Sequence, residues 1–288
     1  MSLYELRTPP DDLHSPVLVV GLEGWIDAGL GGSVATSHLL TTVPTELLAD
    51  FDNDDLIDHR ARRPTLRIED GVNRGVTWPE IELRVGQDRT GAWLLVLTGP
   101  EPDMHWHAFT TAIAGLARDL GVRLACGLGA FPAPVPHTRP VRLVATATTQ
   151  DLADRVGFMP GVIEVPAGIE AALEPAFAAA GIDAVGLWAR VPHYVSAMPY
   201  PAASAALLDG LADLAGLELD ARELHSAAVL TTARIDELIT NSEDHAAMVH
   251  QLETSHDTTE LGPALDLTRL PSGDEIAAEL ERFLRGEE

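Results

Sequence analysis

Pro16-Val-Leu-Val-Val-Gly-Leu-Glu-Gly24, followed by Asp27-Ala-Gly-Leu-Gly-Gly32 and the segment 33–40, is the stretch on which the fold turns. The apolar run 17–22 carries no alternating polar residue, the pattern of a strand buried on both faces rather than one with a wet side. It leaves at Glu23-Gly24 into a glycine-rich turn, and the turn feeds a helix N-terminus. Such a strand, turn, helix unit is the building block of an α/β protein.

Outward from that unit the pattern recurs. Residues 93–97 are again wholly apolar and break at Thr98-Gly-Pro-Glu-Pro102. A helix over about 103–120 is predicted next, because Trp106, Phe109, Ile113, Leu116 and Leu120 fall at helical spacing. Strands follow at 122–128, at 142–147 and at 184–191, with a helix over 167–180 ended by Gly181. Nearer the amino end, 47–51 reads as a strand, and 65–69 with 77–85 as a partly alternating pair, exposed or antiparallel. Strands alternating with helices of about a dozen residues predict a mixed, mostly parallel sheet covered on both faces.

After Pro199-Tyr-Pro201 the character changes to helices over 202–215 and 221–255. The second places Leu224, Ala228, Thr231, Ile235, Leu238, Ser242, His245, Val249 and Leu252 on one stripe in steps of three or four. Residues 256–274 are polar and turn-rich, and 274–285 reads as a last amphipathic helix capped by Asp274. The organisation expected is an α/β core over 1–218, a long helical extension over 219–257, and a tail over 258–288 with a short terminal helix.

Composition narrows the function. The chain has 288 residues, 46% of them hydrophobic, so a real core is expected. The net charge of −25 argues against a nucleic-acid partner, since binding there rests on neutralising phosphates. No apolar run reaches a membrane span and no signal-peptide order is present, so a cytoplasmic protein without a membrane partner is expected. All 19 basic residues are arginine, which removes the Schiff-base lysine and the P-loop lysine together. The single cysteine, Cys126, lies in an apolar run; it reads as a buried strand residue and excludes an internal disulfide.

Candidate site residues are few. Glu23 and Asp27 flank the turn at the carboxyl end of the first strand, where open α/β sheets bind ligands. Gly29-Leu-Gly-Gly-Ser33 lacks the G-x-G-x-x-G spacing of a dinucleotide loop, so its glycines read first as allowing a tight turn. Asp52-Asn-Asp-Asp55 and Asp58 precede Arg60, Arg62 and Arg63, two charge blocks that suit an ion-paired loop or a partner surface. Arg60 and Arg62 could converge with His137 and Arg139 on an anionic ligand. His105 and His107 stand two apart on a helix, the wrong spacing for shared metal ligation, and Ser33 and Ser204 lie in no G-x-S-x-G elbow. No catalytic residue, metal or cofactor is expected from these patterns.

Four loops together resemble a known family: residues 51–64, Leu97-Thr-Gly-Pro-Glu-Pro-Asp103, Pro136-His-Thr-Arg-Pro-Val141, and Val191-Pro-His-Tyr194 with Pro199-Tyr-Pro-Ala-Ala-Ser204. Over about 16–252 the chain resembles the proteasome assembly chaperone-like family, in its bacterial branch related to the second eukaryotic assembly chaperone. The resemblance implies a three-layer α/β/α core similar to phosphorylase/hydrolase-like folds. It also implies self-association into a small homo-oligomer such as a trimer, and a chaperone or scaffolding role. Members that dock on proteasome rings can use a C-terminal hydrophobic-tyrosine-any tail; this sequence ends Arg285-Gly-Glu-Glu288, so docking by that route is not expected. The leading expectation is a non-enzymatic protein-interaction module. Its rival is a protein that binds an anionic or nucleotide-like ligand, or acts on one, at the strand ends.

Overall fold

In the computed structural model the chain is described over residues 3–259. In chain order its elements are β1 (Tyr4–Leu6), β2 (Val17–Glu23), α1 (Gly31–Thr42), β3 (Thr45–Phe51), α2 (Asn53–Leu56), β4 (Thr65–Glu69), β5 (Val72–Thr77), β6 (Glu82–Gln87), β7 (Trp93–Pro100) and α3 (Trp106–Asp119). They continue with β8 (Leu124–Ala133), β9 (Leu143–Ala147), α4 (Gln150–Val156), α5 (Ile169–Ala179), β10 (Ala184–Pro192), α6 (Pro201–Ala215), α7 (Arg222–Thr240) and α8 (Glu243–Thr259).

One eight-stranded sheet runs in the order β1-β3-β6-β7-β2-β8-β10-β9. Its centre, β7-β2-β8-β10, is parallel, and the pairs outside it are antiparallel. Side chains alternate across a strand, so the unbroken apolar run of β2 feeds two cores at once. Val17 and Val19 join one cluster with Leu39 of α1 and Leu207 and Leu211 of α6. Leu18 and Val20 join the other with Phe109 and Ile113 of α3 and Leu173 and Phe177 of α5. The result is a three-layer α/β/α core, with Cys126 fully buried in β8.

The glycine-rich turn has two jobs. Gly29 takes φ 63°, a left-handed conformation that costs glycine little. Gly32 brings α1 so close to β8 that an added Cβ would lie 2.3 Å from the Leu128 carbonyl oxygen. Asp27 closes the turn: its Oδ1 accepts from the Gly32 amide at 2.7 Å, and its Oδ2 accepts from the Ser33 amide at 3.0 Å and hydroxyl at 2.6 Å. The first amides of α1 are thereby satisfied.

Two sequence expectations are corrected. Residues 65–69 pair with 72–77, not with 77–85; β4 and β5 form a separate two-stranded ribbon, while β6 pairs with β3 and β7 in the main sheet. The reason is the turn between them, where Asp70 (φ 49°) and Gly71 (φ 80°) supply the two positive φ angles of a tight hairpin. The helix expected over 221–255 is two helices. Ser242 interrupts it, its hydroxyl accepting from the His245 amide at 3.4 Å, and the acidic Glu243 and Asp244 in the first turn of α8 favour a new helix start there. The helix expected over 274–285 lies outside the described residues.

Candidate functional site

The carboxyl ends of β2 and β7 form one rim of the molecule. There the Glu23 carbonyl accepts from the Glu101 amide at 2.9 Å, while the Glu23 side chain faces solvent. The Glu101 carboxylate accepts from the Ile169 amide at 3.2 Å and so holds the start of α5 against the rim. Arg62 donates from Nε to Asp103 at 3.2 Å and lies 4.0 Å from Glu101. Arg60 reaches only Asp58, at 3.7 Å, and projects into solvent. Of the six candidate side chains, Glu23, Asp27 and Arg62 thus stand at or beside this rim, with Asp27 spent on α1 and Arg62 on two acids.

His137 and Arg139 have other partners. The buried His137 ring meets the Tyr194 hydroxyl at 2.7 Å through Nδ1 and Asp236 of α7 at 2.9 Å through Nε2. The same Tyr194 hydroxyl accepts from the His137 amide at 2.8 Å, and burial pushes its pKa up. Arg139 donates to Asp257 at 2.7 and 2.9 Å and to Glu253 at 3.2 Å, both on α8. That guanidinium holds the Asp257 carboxyl down at about 2. Together with Thr138, which donates to Glu253 at 2.5 Å, the loop fastens the two C-terminal helices to the core.

Two acids that the sequence did not single out lie on the sheet-facing side of α5. Glu170 and Glu174, one helical turn apart, face the sheet where β8 and β10 carry Gly127 and Gly186. A side chain at Gly186 would stand 2.8 Å from Glu174 Oε1, and one at Gly127 would stand 3.4 Å from Glu170 Oε2. A cavity of about 10 Å³ lies between them, room for about one water. Burial raises both carboxyls, and for Glu170 the neighbouring Asp27, Glu174 and Glu101 add to it. Glycines at matching positions of adjacent strands were the available signal.

At the opposite end, a cleft of about 490 Å³ is lined by Val43, Pro44, Glu46, Trp93, Arg89 and Asp220 among others. Its arginine is paired with Asp220, which also accepts from Arg222. Among the described residues no three His, Cys, Asp or Glu side chains are grouped to hold a metal ion, and no helix is long and apolar enough to cross a membrane.

The unusual surface is apolar. Every residue of β4 and β5 is exposed. The register puts Leu66 opposite Val76 and Ile68 opposite Asn73 on one face, with exposures of 48%, 42% and 60% for the three apolar side chains. The other face carries Arg67 and Arg74, both paired with Glu69. Val72, 49% exposed, stands opposite Glu69 on that second face, so the ribbon exposes apolar side chains on both faces, three of them on the first. A second exposed stretch is 161–167, where Val162 and Val165 are 94% and 72% exposed.

No curated protein matches it. Among solved structures, a Corynebacterium glutamicum protein of unknown function is 33% identical with a TM-score of 0.84, over 91% of this chain and 99% of that one. A Mycobacterium tuberculosis protein of unknown function is 38% identical at a TM-score of 0.82, over 89% and 91%. A Mycobacterium tuberculosis proteasome-assembly chaperone homologue is 32% identical at a TM-score of 0.75, over 81% and 99%. The model of the PAC2 family matches residues 21–239, which include the rim, the ribbon and most of α7. The chain belongs to the PAC2 family, the proteasome assembly chaperone-like group that its four loops resemble.

Proposed function

We propose that this chain is a cytoplasmic, non-enzymatic chaperone-like protein that works as a homo-oligomer and acts by contact rather than by chemistry. The observation that carries the reading is the uncovered ribbon of β4 and β5. A two-stranded hairpin is marginal in water by itself, and this one presents Leu66, Ile68 and Val76 outward on the face opposite its ion pairs. Family membership beside a proteasome-assembly chaperone homologue supports a chaperone-like role.

The rival, an anionic-ligand site built from Glu23, Asp27, Arg60, Arg62, His137 and Arg139, would need Arg139 released from Asp257 and Glu253, and Arg62 released from Asp103. One pair of measurements separates the two. Affinity capture with the tagged full chain should recover a protein in stoichiometric amount, and a thermal-shift screen against ATP, inorganic phosphate and carboxylates should stay flat. A ligand at ~100 times its Kd would add roughly 2.7 kcal/mol of stability. A shift of that size that disappears in Arg139→Ala, with no protein recovered, would replace the contact reading by the ligand reading.

A further inference from the structure

Val185, Leu187, Ala189 and Val191 of β10 join the core on the α1 and α6 side of the sheet. Gly186, Trp188 and Arg190 therefore turn to the α5 side. Glu174 of α5 lies over Gly186. Past it, toward the strand ends, Phe131, Val144 and Trp188 belong to neither core cluster. The register sets Trp188 between Gly129 and Val144 and places Arg190 beside Phe131. Arg142 stands directly opposite Arg190, its carbonyl accepting from the Arg190 amide at 3.2 Å. The Trp188 ring lies against the β8 backbone, where a side chain at Gly129 would stand 2.3 Å from it, and its Nε1 donates to Thr146 Oγ1 at 3.0 Å.

Arg190 sets this face apart. Of the four partly buried arginines among the described residues, Arg62, Arg84 and Arg139 each pair with a carboxylate. Arg190 pairs with no carboxylate among the described residues, and its Nε is buried without a hydrogen-bond partner. That is unexpected on a chain with 44 acids against 19 arginines. Like charges directly opposite on paired strands destabilise a sheet. Burial, then the charge of Arg142, push the Arg190 pKa down. Two guanidinium groups on one sheet face suit a carboxylate from outside the chain, and tryptophan and arginine are the side chains that carry most binding energy at protein contacts.

We infer that this face docks an acidic segment of a partner protein, with one carboxylate between Arg142 and Arg190 and a neighbouring apolar side chain on Trp188. The inference rests on the contact reading above. It agrees with a flat screen of small anions, because a lone carboxylate in water gains little from an ion pair. The remaining affinity comes from the segment that carries it.

Two measurements on the full chain test the inference. Arg190→Met keeps an unbranched stem and removes the uncompensated charge, so the free variant should melt at a higher temperature than the wild type. A variant that melts at the same temperature or lower would show that Arg190 serves the fold, and would overturn the proposal. Fluorescence anisotropy with a labelled Glu-Glu-Phe-Glu-Glu peptide, its ends blocked, should show binding that weakens with salt and falls about tenfold or more in Arg190→Met. The Gln-Gln-Phe-Gln-Gln counterpart should not bind. Equal binding of the two peptides, binding of neither, or binding unchanged in Arg190→Met would overturn it. Affinity capture separates this face from the reading beneath it: a protein recovered equally by wild type and Arg190→Met would overturn the docking face alone, and a wild type that recovers none would overturn both.

Discussion

β2 and β4 are both strands that carry apolar side chains, yet six of the seven residues of β2 are buried and none of the five of β4 is. In β2 both faces are served by helices of the same chain, through α1 and α6 on one side and α3 and α5 on the other. β4 pairs only with β5, and no residue of the pair belongs to either core cluster. The difference separates two uses of apolar surface: the first holds this chain together, and the second is available to another molecule. Burial of a side chain such as Leu or Phe is worth roughly 1.5–3 kcal/mol, a gain β2 collects on folding and β4 collects only on association.

That contrast can be broken by experiment. The largest expected loss is in the core: Phe109→Ala removes a fully buried ring that packs, tilted, 5.6 Å from the Phe51 ring, and should cost about 3–5 kcal/mol in urea unfolding. A smaller loss follows from His137→Ala, which leaves the Tyr194 hydroxyl without its ring partner and cuts the tie to Asp236, and should cost about 2 kcal/mol. Hydrogen exchange should show α7 and α8 opening first, because the loop that fastens them is what has been cut.

Smaller still, and opposite in sign, is Glu170→Gln. Burial, then Asp27, Glu174 and Glu101, hold the Glu170 carboxyl protonated above the ordinary carboxylate range. A carboxyl raised in this way keeps its proton in the folded chain after the unfolded chain has lost it. The stability it contributes is complete below the unfolded value and is lost as pH rises through the folded one. Thermal melts should therefore show the wild type weakening from mildly acidic pH upward, and Glu170→Gln more stable at neutral pH with a flatter profile. A wild type that strengthens over that range would show that Glu170 is ionised in the fold. The smallest effect on the fold is expected at the ribbon, where Leu66→Asp should change unfolding free energy by no more than about 0.5 kcal/mol while abolishing association.

How much of this was legible in the sequence follows from what each element depends on. β2, β7, β8 and β10 are buried on both faces, so their apolar runs declare them without reference to the rest of the chain. Alternation alone does not choose a partner for 65–69; the Asp70-Gly71 pair, with its two positive φ angles, does, and it joins that strand to 72–77. The break at Ser242 was hidden because the helical spacing continues in phase through it, from Ile235 and Leu238 by way of Ser242 and His245 to Val249. The candidate residues are where periodicity gives least. Arg62 could be placed near the strand ends, but nothing in the spacing says that Arg139 turns to Asp257, 118 residues away. Glu170 and Glu174 were legible only as a pair with Gly127 and Gly186, a match that exists only once β8 and β10 are side by side.

The most direct test of the account is the mass of the full chain in solution, measured by sedimentation equilibrium for the wild type and for Leu66→Asp/Ile68→Asp. The account predicts a multiple of the chain mass for the wild type and a folded monomer for the variant, with unchanged circular dichroism. A wild type that stays monomeric at every concentration, or a variant that keeps the wild-type mass, would contradict it.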